Sequence, residues 1–120
     1  MSIWKKGDRG TMVLYIQRAL LVNLVPRGPL DGVFGQETEN GVRQFQRDQQ
    51  LKEDGIVGPV TFERLKERVK WLQECLGIKQ DGLYGPETEA KVREYQQKHG
   101  LDVDGLAGEE TQFKNGMLGS

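Results

Sequence analysis

The chain has 120 residues, 36% of them hydrophobic and 29% charged, with a net charge of −1. That length holds one ordinary domain, or two very small ones sharing a core, and so even a charge balance gives no footing for nucleic acid or an anionic membrane surface. No apolar run approaches the roughly 20 residues of a membrane-spanning helix, so membrane insertion is not expected. Met1 to Asp8 holds Lys5 and Lys6 without an apolar run behind them, which is not a signal peptide. Export by another route, or excision from a longer exported chain, would account for that. A single cysteine, Cys75, excludes an internal disulfide, and with a single histidine, His99, a zinc site built from those ligand types is not expected.

In chain order, Gly7-Asp8-Arg9-Gly10 reads as a turn, and a helix begins near Thr11 with Val13, Ile16 and Leu20 at helical spacing. The stretch 23–30, with Pro26, Gly28 and Pro29, is an irregular loop. Then comes Asp31-Gly32-Val33-Phe34-Gly35-Gln36-Glu37-Thr38, whose skeleton Asp-Gly-x-x-Gly-x-x-Thr returns at Asp54, Asp81 and Asp104. Asp-Gly is turn chemistry, the second glycine falls where a helix N-cap belongs, and Pro59 and Pro86 suit a first helical position. Glu37 and Glu87 place negative charge beside the positive end of a helix dipole. Each copy starts a helix.

A second helix is expected at 36–49 with Thr38, Val42 and Phe45 inward, followed by Leu51 as a core plug. From Pro59, the residues Phe62, Leu65, Val69, Leu72 and Leu76 step by three or four with no glycine until Gly77. One continuous helix at about 59–76, roughly 27 Å long, is predicted. The next helix, 86–98, turns Thr88, Val92 and Tyr95 inward and ends at His99-Gly100. The last begins near Glu109 and carries Phe113 and Met117 before glycines interrupt it.

The chain repeats itself. Residues 31–62 align with 81–112 at a constant offset of fifty, matching Asp31 with Asp81, Thr38 with Thr88, Arg43 with Arg93 and Gln46 with Gln96. Upstream, Tyr15-Ile16-Gln17 matches Trp71-Leu72-Gln73 at fifty-six. The expected fold is therefore all-α, with two fused three-helix units at 3–68 and 69–118 sharing the 59–76 helix. The second unit is abbreviated and lacks both the Gly-Asp-x-Gly opening and about six loop residues.

Gly7-Asp8-Arg9-Gly10, Ile16-Gln17-Arg18-Ala19-Leu20, Asp31-Gly32-Val33-Phe34-Gly35, Val42-Arg43-Gln44-Phe45-Gln46 and Asp54-Gly55-Ile56-Val57-Gly58-Pro59-Val60-Thr61 resemble the peptidoglycan-binding domain of the three-helix type. That module is attached to bacterial and phage cell-wall hydrolases. The resemblance implies bacterial peptidoglycan as partner, action outside the cytoplasm at the cell wall, no cofactor, and a non-catalytic role. That role is to hold a hydrolase such as an endolysin, as a catalytic domain of the parent chain, against its polymer. Any ligand contact made by the Gly-Asp-x-Gly opening would exist only once. Metalloproteinase pro-segments are similar too, but Cys75 lacks their Pro-Arg-Cys-Gly context.

Other chemistry finds little support. The Asp-Gly turns lack the alternating oxygen ligands of a calcium loop. Glu37, Glu39, Glu87 and Glu89 sit in first helical turns, where acids serve the dipole, rather than forming a catalytic pair. No nucleophile with a base is present, so no catalytic or metal residue is assigned. The candidate ligand contacts are Asp31, Phe34 and Arg43 in the first unit and Asp81, Tyr84 and Arg93 in the second, around a shallow groove near the turns. Phe34 and Tyr84 either fill the core or offer ring faces to sugars. Arg43 and Arg93 either grip stem-peptide carboxylates or pair with Glu39 and Glu89 one turn earlier. Leu14, Leu21, Val22 and Leu24 either pack on the other unit or form a partner surface, which leaves a protein-interaction module without glycan binding as the alternative function.

Overall fold

The computed structural model describes residues 2–114 and is helical: α1 (Thr11–Val22), α2 (Gln36–Asp48), α3 (Pro59–Leu76), α4 (Pro86–Lys98) and α5 (Glu109–Phe113). There is no strand among the described residues, only isolated antiparallel bridges from Trp4 to Val57 and from Arg9 to Val33. The shared helix is real: α3 runs its 18 residues without a break, through the point where one unit passes into the next. The extension of α5 toward Met117 lies outside the described residues.

Each helix starts on a glycine, Gly10, Gly35, Gly58, Gly85 or Gly108, with no side-chain cap. Pro59 and Pro86 occupy first helical positions, where the missing N–H costs nothing. The first four helices end alike. In α2 the N–H of Leu51 bonds the Gln46 carbonyl at 2.8 Å and that of Gln50 bonds Arg47, a Schellman pair that satisfies carbonyls left open at a helix end. Ile78 on Gln73 and Leu101 on Gln96 repeat it, and Val25 on Leu20 closes α1. The residue at the bend takes positive φ, which glycine supplies at Gly77 and Gly100 but Leu24 and Gln50 must adopt against their side chains.

The core joins the inward faces of α1 (Val13, Ile16, Leu20) and α3 (Leu65, Val69, Leu72) with Phe34, Phe45, Tyr84 and Val92. A fully buried leucine there contributes about 2 kcal/mol. Several positions are more exposed than the spacing suggests. Phe62 is half-buried against Trp4, with ring centroids 5.0 Å apart, and Tyr95 is half-buried, stacked 4.1 Å from His99. Trp71 lies half-buried beneath the Arg68 guanidinium. Cys75 is exposed.

Candidate functional site

The four Asp-Gly turns share one hydrogen-bonded device centred on a buried glutamine. In the first, the Gln17 amide donates to Asp31 Oδ1 (3.2 Å), the Val33 carbonyl (3.0 Å) and Thr38 Oγ1 (3.0 Å), while its oxygen accepts from the Gly32 N–H (2.9 Å). Gln46 does the same to Asp54, Ile56, Thr61 and Gly55. Gln73 serves Asp81, Leu83, Thr88 and Gly82, and Gln96 serves Asp104, Leu106, Thr111 and Gly105. Each glutamine stands on one helix and the threonine it holds on the next, so every turn is a rivet between successive helices. All four glutamines are at most 1% exposed. A buried amide is tolerated because its polar valences are filled.

Each aspartate also accepts the N–H two residues on, as Asp31 does from Val33 and Asp81 from Leu83, both at 2.9 Å. The Val33 N–H and then the Gln17 amide hold the Asp31 carboxyl below its ordinary 3.8. At Asp54 and Asp81 partial burial pushes the other way, but bonds from Ile56 and Leu83 and from the glutamines outweigh it and leave both lowered. Asp31 and Asp81 thus hold their turns together, each through Oδ1.

The two aromatic candidates lie in the core. Phe34 is 1% and Tyr84 0% exposed, so neither presents a ring face for a sugar to stack on. Tyr84 has a structural task instead. Its hydroxyl donates to the Gly105 carbonyl at 2.6 Å and accepts the Ala107 N–H at 3.1 Å, and burial pushes its pKa up. The repeat explains why. In the first unit Val57, the counterpart of Ala107, exchanges backbone bonds with Trp4, and the Phe34 carbonyl accepts from Gly7. The second unit has no such leading segment. There the Tyr84 hydroxyl serves Ala107, and Arg18, reaching over from α1, donates to the Tyr84 carbonyl at 3.2 Å.

Arg43 and Arg93 lie over turns. A Cβ placed on Gly55 would stand 2.9 Å from Glu39 Cγ and 3.1 Å from Arg43 Nε, and one on Gly105 equally close to Glu89 and Arg93. Arg43 donates to the Glu53 carbonyl at 3.1 Å, while Arg93 pairs with Glu89 at 3.7 Å. Glu89 also receives Arg18 at 3.4 Å. The ion-pair alternative therefore holds at Arg93, and Arg43 turns to a carbonyl. Of the four apolar residues near α1, Val22 is buried and Leu21 rests on Gly108 of the second unit. Leu14 lies instead by Gly32, and Leu24 is exposed.

The structure therefore brings Asp31 with Phe34, and Asp81 with Tyr84, into two matching turns, and Arg43 and Arg93 into the two others. They do not converge on one pocket. The four glutamines and Arg18 were not picked out from sequence as functional or structural keys. The signal was present, since Gln46, Gln73 and Gln96 each stand eight residues before an Asp and fifteen before a Thr. Among the described residues no group of three or more His, Cys, Asp or Glu is placed to hold a metal ion, and no helix is long and apolar enough to cross a membrane.

Comparison with known proteins agrees with this doubled design. The peptidoglycan binding domain family matches residues 9–65 and again 66–112, and the chain belongs to that family. An uncharacterized protein in the bpoA1 3′ region of Kitasatospora aureofaciens is 44% identical over 61 residues, 50% of this chain and 52% of that one. The chain thus spans about half the length of that curated relative. The crystal structure of the SleB N-terminal domain is similar with a TM-score of 0.53 and 33% identity, over 55% of this chain and 90% of that one. A Burkholderia AP3 phage endolysin shares the fold, at a TM-score of 0.51 and 24% identity over 79% of this chain and 38% of the endolysin.

Proposed function

We propose that the chain binds bacterial cell-wall peptidoglycan and acts by attachment rather than chemistry, outside the cytoplasm. In a longer parent chain it would keep a cell-wall hydrolase, such as an endolysin, against its insoluble substrate. The tandem family match over residues 9–65 and 66–112 carries the reading. We divide the units at 3–68 and 69–118, a boundary inside α3 that makes them rigidly joined. Of the candidate contacts, Asp31 keeps Oδ2 for a ligand, whereas Asp81 lies at a turn that Lys66 covers, and Arg43 and Arg93 themselves cover the turns at Gly55 and Gly105.

Sedimentation with purified sacculi tests this. Retention above that of a control protein of similar size and charge is expected, and retention equal to the control would overturn it. A protein-interaction module is the second reading, favoured by the apolar cleft of about 380 Å³ that includes Ile3, Leu51, Ile56 and Val60. Light scattering that rises with concentration, without sacculus binding, would select it.

A further inference from the structure

The four turns are built alike but are not equally covered. Glu39 and Arg43 lie on Gly55, and Glu89 and Arg93 on Gly105. On Gly82 the stem of Lys66 does so, its Cβ 2.8 Å from where a Cβ would stand. At Gly32 the nearest atoms are the Gly10 carbonyl (3.3 Å) and Leu14 Cβ (3.8 Å), and no longer side chain crosses. The cause is readable in the repeat. Gly10 and Lys66 are fifty-six residues apart, the same offset that relates Gln17 to Gln73. A glycine in the first unit stands where the second has a lysine.

The uncovered turn forms a groove of about 480 Å³ lined by Arg9, Thr11, Leu14, Asp31 and Val33. Its chemistry is mixed. Leu14 and Val33 give an apolar floor, with Val33 37% exposed. Arg9 is exposed, and no carboxylate among the described residues pairs with it. Asp31 spends Oδ1 on Gln17 and Val33, which leaves Oδ2 as an acceptor. A guanidinium, an acceptor oxygen and an apolar strip within one groove suit a segment with a carboxylate, N–H or O–H donors, and methyl groups.

We propose that this groove is the ligand subsite, that it takes the carboxylate-bearing stem peptide of the wall polymer on Arg9, and that it occurs once per chain despite the tandem repeat. The proposal rests on peptidoglycan binding itself. Lys66 closes the corresponding turn of the second unit, so that unit supports the site instead of doubling it.

The test is a titration of the full chain with a soluble disaccharide-tetrapeptide, and with the same compound after amidation of its carboxylates, followed by amide NMR and calorimetry. Expected are one site per chain, shifts confined to Arg9–Leu14 and Asp31–Val33, and about tenfold weaker binding after amidation. Arg9→Gln and Val33→Glu should each weaken the parent compound by a similar factor while keeping the wild-type melting curve. Two equal sites, shifts centred on Gly82 or Gly105, or full affinity in both variants would overturn the proposal, as would no binding of the soluble compound. Sacculus retention of the wild type, run in parallel, separates the two failures. Retained protein with an unperturbed groove removes this subsite alone, whereas unretained protein removes the peptidoglycan reading.

Discussion

A primary amide such as that of Gln73 brings two donor hydrogens and an acceptor oxygen into the core, and burial is favourable only while all are engaged. Gln73 reaches Asp81, Leu83 and Thr88 through its nitrogen and Gly82 through its oxygen. Replacing it by leucine keeps the volume but strands the Gly82 N–H and leaves the Thr88 hydroxyl and the Leu83 carbonyl only the 3.4 Å bond between them. Gln73→Leu should cost about 3 kcal/mol in urea denaturation, and a loss below about 1 kcal/mol would show that the rivet is not needed. The aspartates make the same point through pH. Asp31, Asp54 and Asp81 lie below their ordinary 3.8, so their stabilisation is complete above that value and drains as pH falls through the lower folded values. Urea midpoints should hold level from pH 7 to about 5 and drop below about 4, and Asp81→Asn should flatten that acid limb. A limb unchanged in Asp81→Asn would argue against the assignment. These residues show where sequence reading stopped. The repeat displays Gln17, Gln46, Gln73 and Gln96 in matching places, yet a glutamine in a helix reads as solvent-facing. Only the position of the next turn reveals that each has partners waiting inside.

Helix starts were legible because they rest on local chemistry: the Asp-Gly turn, the capping glycine and a proline at first position act within a few residues. Continuity of α3 was legible for the converse reason, since no breaker stands between Pro59 and Leu76. The depth of a side chain is set by distant elements, and there spacing left alternatives open. Phe34 and Tyr84 occupy the same place in two turns, and both are buried in the core that the helices share. What distinguishes them, the Tyr84 hydroxyl that donates to the Gly105 carbonyl and accepts the Ala107 N–H, depends on a segment missing from one unit and present in the other. Helix ends carry a further prediction. Gln50 holds φ 59° where the second unit has Gly100 at φ 68°. Gln50→Gly should raise stability by about 0.5–1 kcal/mol, read as a higher melting temperature, because the strained conformation is then free of its side chain. A lower melting temperature would mean that the Gln50 side chain makes a compensating contact.

At the scale of the molecule, the second unit is completed by the first. Arg18 bonds the Tyr84 carbonyl and pairs with Glu89, Leu21 rests on Gly108, and the Gln112 amide donates to the Val22 carbonyl at 2.9 Å. With α3 running through both, the units should unfold together. Calorimetry of the whole chain should give one transition, and residues 69–120 alone should lack a cooperative melt. Two transitions, or an independently folded second unit, would contradict that interdependence. The same asymmetry gives the binding account its shape, because the unit with the Gly-Asp-x-Gly opening keeps an open turn and its partner does not. Sedimentation of wild type and Arg9→Gln with purified sacculi tests this most directly. The account predicts wild-type retention above a charge-matched control and a clear loss in Arg9→Gln with an unchanged melting curve. Equal sedimentation of wild type and control would contradict it.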